Sequence, residues 1–178
     1  MPEGRYRGSE LTIEPDASAA SYPLAMAAVA GGRVLVRGLH RSSAQGDAAF
    51  ADLLARMGCT VVDDDDGLSV ARDDDQPLVG VDVDMADVSD LVPTLAVVAA
   101  VATTPTMISG VGFIRAKESD RLGDLAGGAL LTHHDHRLAM AFGVLGTVVE
   151  GVAVTDPGVV SKSWPDFWAV RDRILRST

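Results

Sequence analysis

Five cations capable of holding an anion, Arg115, Lys117, Arg121, Arg137 and Lys162, lie in the second half of the sequence. The run Arg115-Ala116-Lys117-Glu118-Ser119-Asp120-Arg121 puts six charged or hydrogen-bonding groups into seven positions. A solvated turn would account for such a run. Lys117 and Arg121, however, are four residues apart, a spacing that sets them on one helical face, where they repel unless an anion or a carboxylate lies between them. Arg137 stands at the start of a strongly apolar stretch, so its neighbours are core residues. Cations placed in this way suit the binding of phosphate or carboxylate.

Two other polar clusters point elsewhere. His133-His134-Asp135-His136 holds good metal ligands, but adjacent residues at a helix start diverge, and a capping role for Asp135 explains the run as well. The acidic runs at 63–66 and 73–75 lack the alternating acidic positions and the following Glu of a calcium loop, and read as hairpin and loop charges.

The elements that would position these groups form a threefold pattern. Residues 23–30, 93–102 and 138–148 are rich in Ala, Leu, Val and Met and read as helices buried on nearly every side. Ser21, Asp90 and Asp135 are the expected caps. Each helix is followed by a short alternating strand at 34–36, 106–108 and 152–154. Amphipathic second helices are expected at 47–57 and 165–174, and a hairpin at 59–62 and 68–70 turning at Asp66-Gly67. The interval from the second strand to the third is shorter than the first by about 26 residues, as though the second copy lacked its hairpin at Gly127-Gly128. Omission of a real segment there is expected to separate the two glycine Cα atoms beyond the ~3.8 Å of a trans peptide.

A chain of 178 residues with 47% hydrophobic content supports one ordinary domain. A net charge of -10 argues against a nucleic acid backbone as partner, because no continuous basic surface is visible in the sequence. No apolar run reaches the roughly 18 to 20 residues of a membrane span, and residues 1–6 have no leader pattern. One cysteine, Cys59, excludes an internal disulfide and fits a reducing compartment, so a cytoplasmic location is expected.

Lys117-Glu118-Ser119-Asp120-Arg121-Leu122 resembles the Lys-Glu-Thr-Asp-Arg-Leu motif of the 5-enolpyruvylshikimate-3-phosphate synthases, and Asp135-His136-Arg137-Leu138-Ala139-Met140 resembles their Asp-His-Arg-Met-Ala-Met motif. Asp16-Ala17-Ser18-Ala19-Ala20-Ser21-Tyr22, Gln45-Gly46-Asp47 and Ser161-Lys162-Ser163-Trp164-Pro165-Asp166 extend the likeness over nearly the whole chain. The resemblance implies an α/β domain of the enolpyruvyl transferase fold, residues 1–178, with three βαβαββ-type repeats at about 14–82, 83–132 and 133–178 and the second shortened. Helices lie inside and sheets outside.

It also implies half of an active site, this being the C-terminal half of the enzyme. The reaction would move the enolpyruvyl group of phosphoenolpyruvate to the 5-hydroxyl of shikimate-3-phosphate and release phosphate, without a cofactor or metal. Such chemistry requires a base for the hydroxyl, an acid for the methylene carbon, and cations for a carboxylate and two phosphates. By the resemblance Asp90 and Glu118 handle protons, Lys162 is acid or charge stabiliser, Arg121 and Arg137 are bidentate clamps on phosphoenolpyruvate, Lys117 meets shikimate-3-phosphate, and His136 orients Glu118. Arg121, Arg137, Lys117 and Lys162 are expected on one open surface with Asp90 and Glu118, no three of the six more than about 20 Å apart.

Phe113 departs from the Asn of many members, and the missing N-terminal domain would supply the remaining phosphate-binding groups. The readings left beside this one are an anion-binding or interaction domain without turnover, and transfer of the same group to a nucleotide sugar.

Overall fold

The computed structural model of the chain describes Gly8, Glu10 and residues 12–121 and 131–176. Its centre is α1 (Ala17–Ala30), a helix with eleven buried residues. So many Ala, Leu, Met and Val side chains leave it no polar face, and it packs as a core element. Asp16, rather than Ser21, caps it, accepting a hydrogen bond from Ala19 N at 2.9 Å. The Ser21 hydroxyl instead lies inside the helix and donates to Ser18 O at 2.7 Å. Gln45 fixes the same end from outside, donating to Pro15 O at 2.7 Å and accepting from Ala17 N at 2.8 Å. The turn out of α1 uses Gly31 and Gly32 at φ 81° and 84°, a region that side chains disfavour.

Next come β1 (Gly32–Arg37), a single 3-10 turn (Gly46–Ala49) leading into α2 (Phe50–Arg56), β2 (Thr60–Asp64) and β3 (Gly67–Arg72). The three strands make a sheet of order β1-β3-β2, both pairs antiparallel. The expected hairpin therefore forms. Its buried inner residues Leu68 and Val70 face the core, while the acidic end at Asp63 and Asp64 is exposed. Asp63 is held there by His40 Nδ1 at 2.8 Å and Arg41 N at 3.0 Å, not by a cation site.

A second sheet has two strands, β4 (Asp82–Asp84) and β5 (Met107–Ser109), paired in parallel across α3 (Val92–Ala100). This is a βαβ crossover. α4 (His136–Leu145) packs against α3 and α1, and α5 (Phe167–Arg176) closes the chain. Arg121, bonded to Asp90 before α3 and to Asp135 before α4, thus stands next to the starts of two buried helices, where the site forms.

Residues 152–154 do not form the expected strand. Their burial still alternates, with Val154 packed on the core, but among the described residues no neighbouring strand pairs with them. Alternation sets which face is apolar, whereas a strand also needs a partner for its N–H and C=O groups. Residues 12–15 also belong to no strand among the described residues, and Ile13 is 83% exposed. The Gly127-Gly128 junction and its Cα spacing lie outside the described residues.

α5 starts two residues later than expected and is anchored by aromatic rings. Phe167 makes edge-to-face contacts with Tyr22, Trp164 and Trp168 at centroid distances of 5.8, 5.7 and 4.8 Å. Gly143 on α4 is what lets this cluster close. A Cβ there would stand 2.8 Å from Phe167 Cε1 and 2.8 Å from Trp168 Cζ3. Ala gains about 1 kcal/mol of helix propensity over Gly, but overpacking costs about 1–3 kcal/mol. Gly143→Ala is therefore expected to destabilise the fold by about 1 kcal/mol in urea unfolding; a stabilised variant would show that the aromatic cluster yields.

Candidate functional site

Asp90 sits in the 3-10 turn Ser89–Leu91 that leads into α3, the position expected of a cap. Its side chain caps nothing: α3 has no side-chain hydrogen bond at its start. Both carboxylate oxygens point instead at three cations. Oδ1 accepts from Lys117 Nζ at 3.1 Å and Arg121 Nη1 at 2.9 Å, and Oδ2 accepts from Arg137 Nη2 at 3.0 Å. Burial acts to raise the pKa of Asp90, but the charge of Arg137 and the hydrogen bonds from Lys117 and Arg121 outweigh it and hold the carboxyl below its ordinary value. Lys117 follows the 3-10 segment Gly112–Ala116 and does not share a helical face with Arg121. The two cations meet because one carboxylate lies between them, and that carboxylate is 27 and 31 residues away in sequence.

Arg121 is 2% exposed. Its Nε donates to Asp135 Oδ2 at 2.6 Å and its Nη2 to Asp135 Oδ1 at 3.4 Å, while Nη1 goes to Asp90. Burial works against the charged guanidinium, yet Asp135 and then Asp90 more than compensate and raise its pKa, so it stays charged at all working pH. Its Nε edge is already engaged within the protein, so the expected bidentate clamp is left only the Nη edge that faces Asp90. Asp135 is fully buried and also accepts from Arg137 N at 2.8 Å, which makes it the cap of α4.

A second group lies beside the first. His136 Nδ1 stands 3.3 Å from Glu118 Oε2, without the alignment of a hydrogen bond. Lys162, at the end of the 3-10 segment Pro157–Lys162, comes within 3.9 Å of the same Glu118 oxygen and donates to His134 O at 3.0 Å. Since 117 and 118 are neighbours, as are 136 and 137, the two groups are continuous. The structure thus brings all seven sequence-predicted residues together.

Glu118, Asp135 and His136 also place one possible ligand atom each within 4.8 Å of one another. They make a poor cation site, because both Asp135 oxygens are taken by Arg121, and the guanidinium would repel a metal ion. His133 and His134 have φ 47° and 62°, and His134 Nδ1 pairs with Asp156 at 2.8 Å. Phe113, the departure noted in the sequence, lies 5.8 Å from Lys117 Nζ and offers it a ring face.

Sequence reading gave Asp135 only a capping role and did not find its bond to Arg121. The signal was a fully core-like neighbourhood with two unexplained arginines, but one side-chain role concealed the other. Elsewhere, burial pushes the Cys59 thiol up to about 11, so it is an inert core residue.

Buried helices flanked by outer sheets, with cations and carboxylates gathered where helices begin, define one domain of the α/β enolpyruvyl transferase fold. The family model described as "EPSP synthase (3-phosphoshikimate 1-carboxyvinyltransferase)" matches residues 1–127 and 123–170. The chain belongs to the EPSP synthase family. It is 44% identical to the 3-phosphoshikimate 1-carboxyvinyltransferase of Methanosphaerula palustris over 189 residues, covering 92% of this chain and 44% of that relative. For the Nostoc punctiforme protein of the same name identity is 41%, with the same coverage of each. The solved EPSP synthase of Acinetobacter baumannii superposes with a TM-score of 0.78 at 23% identity, covering 96% of this chain and 48% of that one, which shows a shared fold.

The chain therefore spans less than half the length of these curated relatives. The aligned stretch of 189 residues is longer than the 178 residues of the chain, and the family match breaks in two at 123–127. Relatives thus carry residues that this sequence does not, and the break falls beside Gly127-Gly128. No helix among the described residues is long and apolar enough to cross a membrane.

Proposed function

We propose that this chain forms one wall of a cleft in which the enolpyruvyl group of phosphoenolpyruvate passes to the 5-hydroxyl of shikimate-3-phosphate. The observation that carries the reading is the convergence of Lys117, Arg121 and Arg137 on Asp90, with Glu118, His136 and Lys162 alongside. In such a cleft the arginines hold the carboxylate and phosphate of phosphoenolpyruvate, and Lys117 meets shikimate-3-phosphate. Asp90 and Glu118 are the groups within reach of the transferring protons, and Lys162 offsets charge or delivers a proton at the enolpyruvyl carbon.

Addition of the 5-hydroxyl to the enol carbon, with a proton delivered to the methylene carbon, gives a tetrahedral intermediate; loss of phosphate together with a proton from the resulting methyl group restores the double bond. All of these residues except the buried Arg121 are partly exposed, as they must be if the other wall belongs to a further domain. The repeat boundaries near 82 and 132 and a cytoplasmic location form part of the same proposal.

Coupled phosphate release from the two substrates tests it. The chain alone should be silent, and mixing with a separately produced N-terminal half should restore turnover. Each oxyanion donor lost costs about 10²- to 10³-fold in rate, and the absent wall holds several. Activity of the chain alone would contradict the half-site reading. Silence after mixing, with association of the halves verified by light scattering, would favour an anion-binding domain without turnover.

A further inference from the structure

We infer that Asp135 is a positioning residue that fixes the two arginines of the site relative to each other; the inference rests on the reading of the site above. Arg121 and Arg137 come from different chain segments, and the fully buried Asp135 bonds to both of them. Oδ2 takes Arg121 Nε at 2.6 Å, and Oδ1 takes Arg137 N at 2.8 Å and Arg121 Nη2 at 3.4 Å. Ser119 Oγ donates to Oδ2 from 3.5 Å, tying the loop before Arg121 to the same carboxylate. On the far side both guanidiniums reach Asp90, at 2.9 and 3.0 Å.

Two carboxylates and two arginines therefore close a ring, with one carboxylate inside the core and one at the surface. Their surroundings give them separate tasks. Asp90 is partly exposed, and a substrate anion can take its place; Asp135 is sealed and cannot be displaced. Locking the Nε edge of Arg121 leaves the guanidinium plane no free rotation and directs Nη1 at the partly exposed Asp90, so an anion that takes the place of Asp90 meets an oriented donor with little entropy left to lose. The cap on Arg137 N fixes the start of α4 and so the point from which the second arginine extends.

A carboxylate that merely neutralised charge would have an effect of the opposite sign, and this separates the two roles. Removing a negative charge beside a cationic site strengthens anion binding, whereas removing a positioning group weakens it. Titration of the chain with inorganic phosphate, followed by calorimetry, is expected to show at least fivefold weaker binding in Asp135→Asn and in Asp135→Glu. The second variant keeps the charge but moves it by one methylene. Tighter binding in Asp135→Asn, or unchanged binding in Asp135→Glu, would overturn the inference.

The unaltered chain offers a measurement that does not depend on the folding of any variant. The Arg121 Nε–H resonance, assigned by its loss in Arg121→Lys, should be protected from solvent exchange both before and after saturation with phosphate. Loss of protection on phosphate addition would show that Asp135 releases Arg121 and does not position it. In the enzyme reconstituted from two halves, Asp135→Glu should raise KM for phosphoenolpyruvate more than it lowers kcat and should spare KM for shikimate-3-phosphate. Equal changes in all three would also count against positioning. Absence of turnover in the unaltered reconstituted enzyme, with the phosphate and exchange results as expected, would discard the reaction and keep the positioning role.

Discussion

Replacing Arg121 by methionine is expected to remove about 3–5 kcal/mol from the stability of the fold at neutral pH, the cost of breaking a buried ion pair from one side. Arg121 is 2% exposed and Asp135 is fully buried, so solvent cannot screen the charge left behind. Methionine fills much of the volume of the arginine stem, which keeps the cavity contribution small. Asp135 would then hold a charge with Ser119 Oγ and Arg137 N as its remaining hydrogen-bond donors among the described residues. Urea unfolding measures the loss, and a change under 1 kcal/mol would show that Asp135 gives up its charge or finds water.

The pH dependence of the unaltered chain has a definite sign. Asp90 has a folded pKa below its ordinary value, so its contribution is complete above about pH 3.9, the unfolded value, and disappears as pH falls through the lower folded one. Melting measured at falling pH should show this acid limb, and Asp90→Asn should remove part of it.

Asp90→Ala is expected to lower turnover of the reconstituted enzyme by about 10²- to 10⁴-fold, the range in which general acid-base groups contribute. The same substitution should make the isolated chain bind phosphate more tightly. Lys117, Arg121 and Arg137 now share the Asp90 carboxylate as an internal counter-anion, and an incoming anion has to compete with it. A carboxylate needed for proton transfer thus weakens ground-state binding, and the two measurements should move in opposite directions. Turnover within tenfold of the unaltered enzyme would remove Asp90 from the proton-handling groups. Weaker phosphate binding would mean that Asp90 organises the cations and does not merely occupy them.

Much of the architecture was legible from residue type. The apolar runs around Pro23, Pro93 and Leu138 became α1, α3 and α4, because stretches of Ala, Leu and Val without a polar face can only be buried. The hairpin at Gly67 formed because the alternating segments on either side of it are adjacent in sequence and need no distant partner. The segment 152–154 failed for the complementary reason: its pattern was right, but among the described residues no strand pairs with it.

The site divides along the same line. Which residues carry charge, and their membership in two family motifs, were set by the sequence alone. That Asp90 is a hub for three cations rather than a cap, and that Asp135 grips Arg121 as well as capping α4, were decided only by the tertiary structure. A cap is a local interaction, and any Asp before a helix fits it. A charge hub joins residues 27 to 47 positions apart, and only the packing of α3 against α4 brings them within bonding distance.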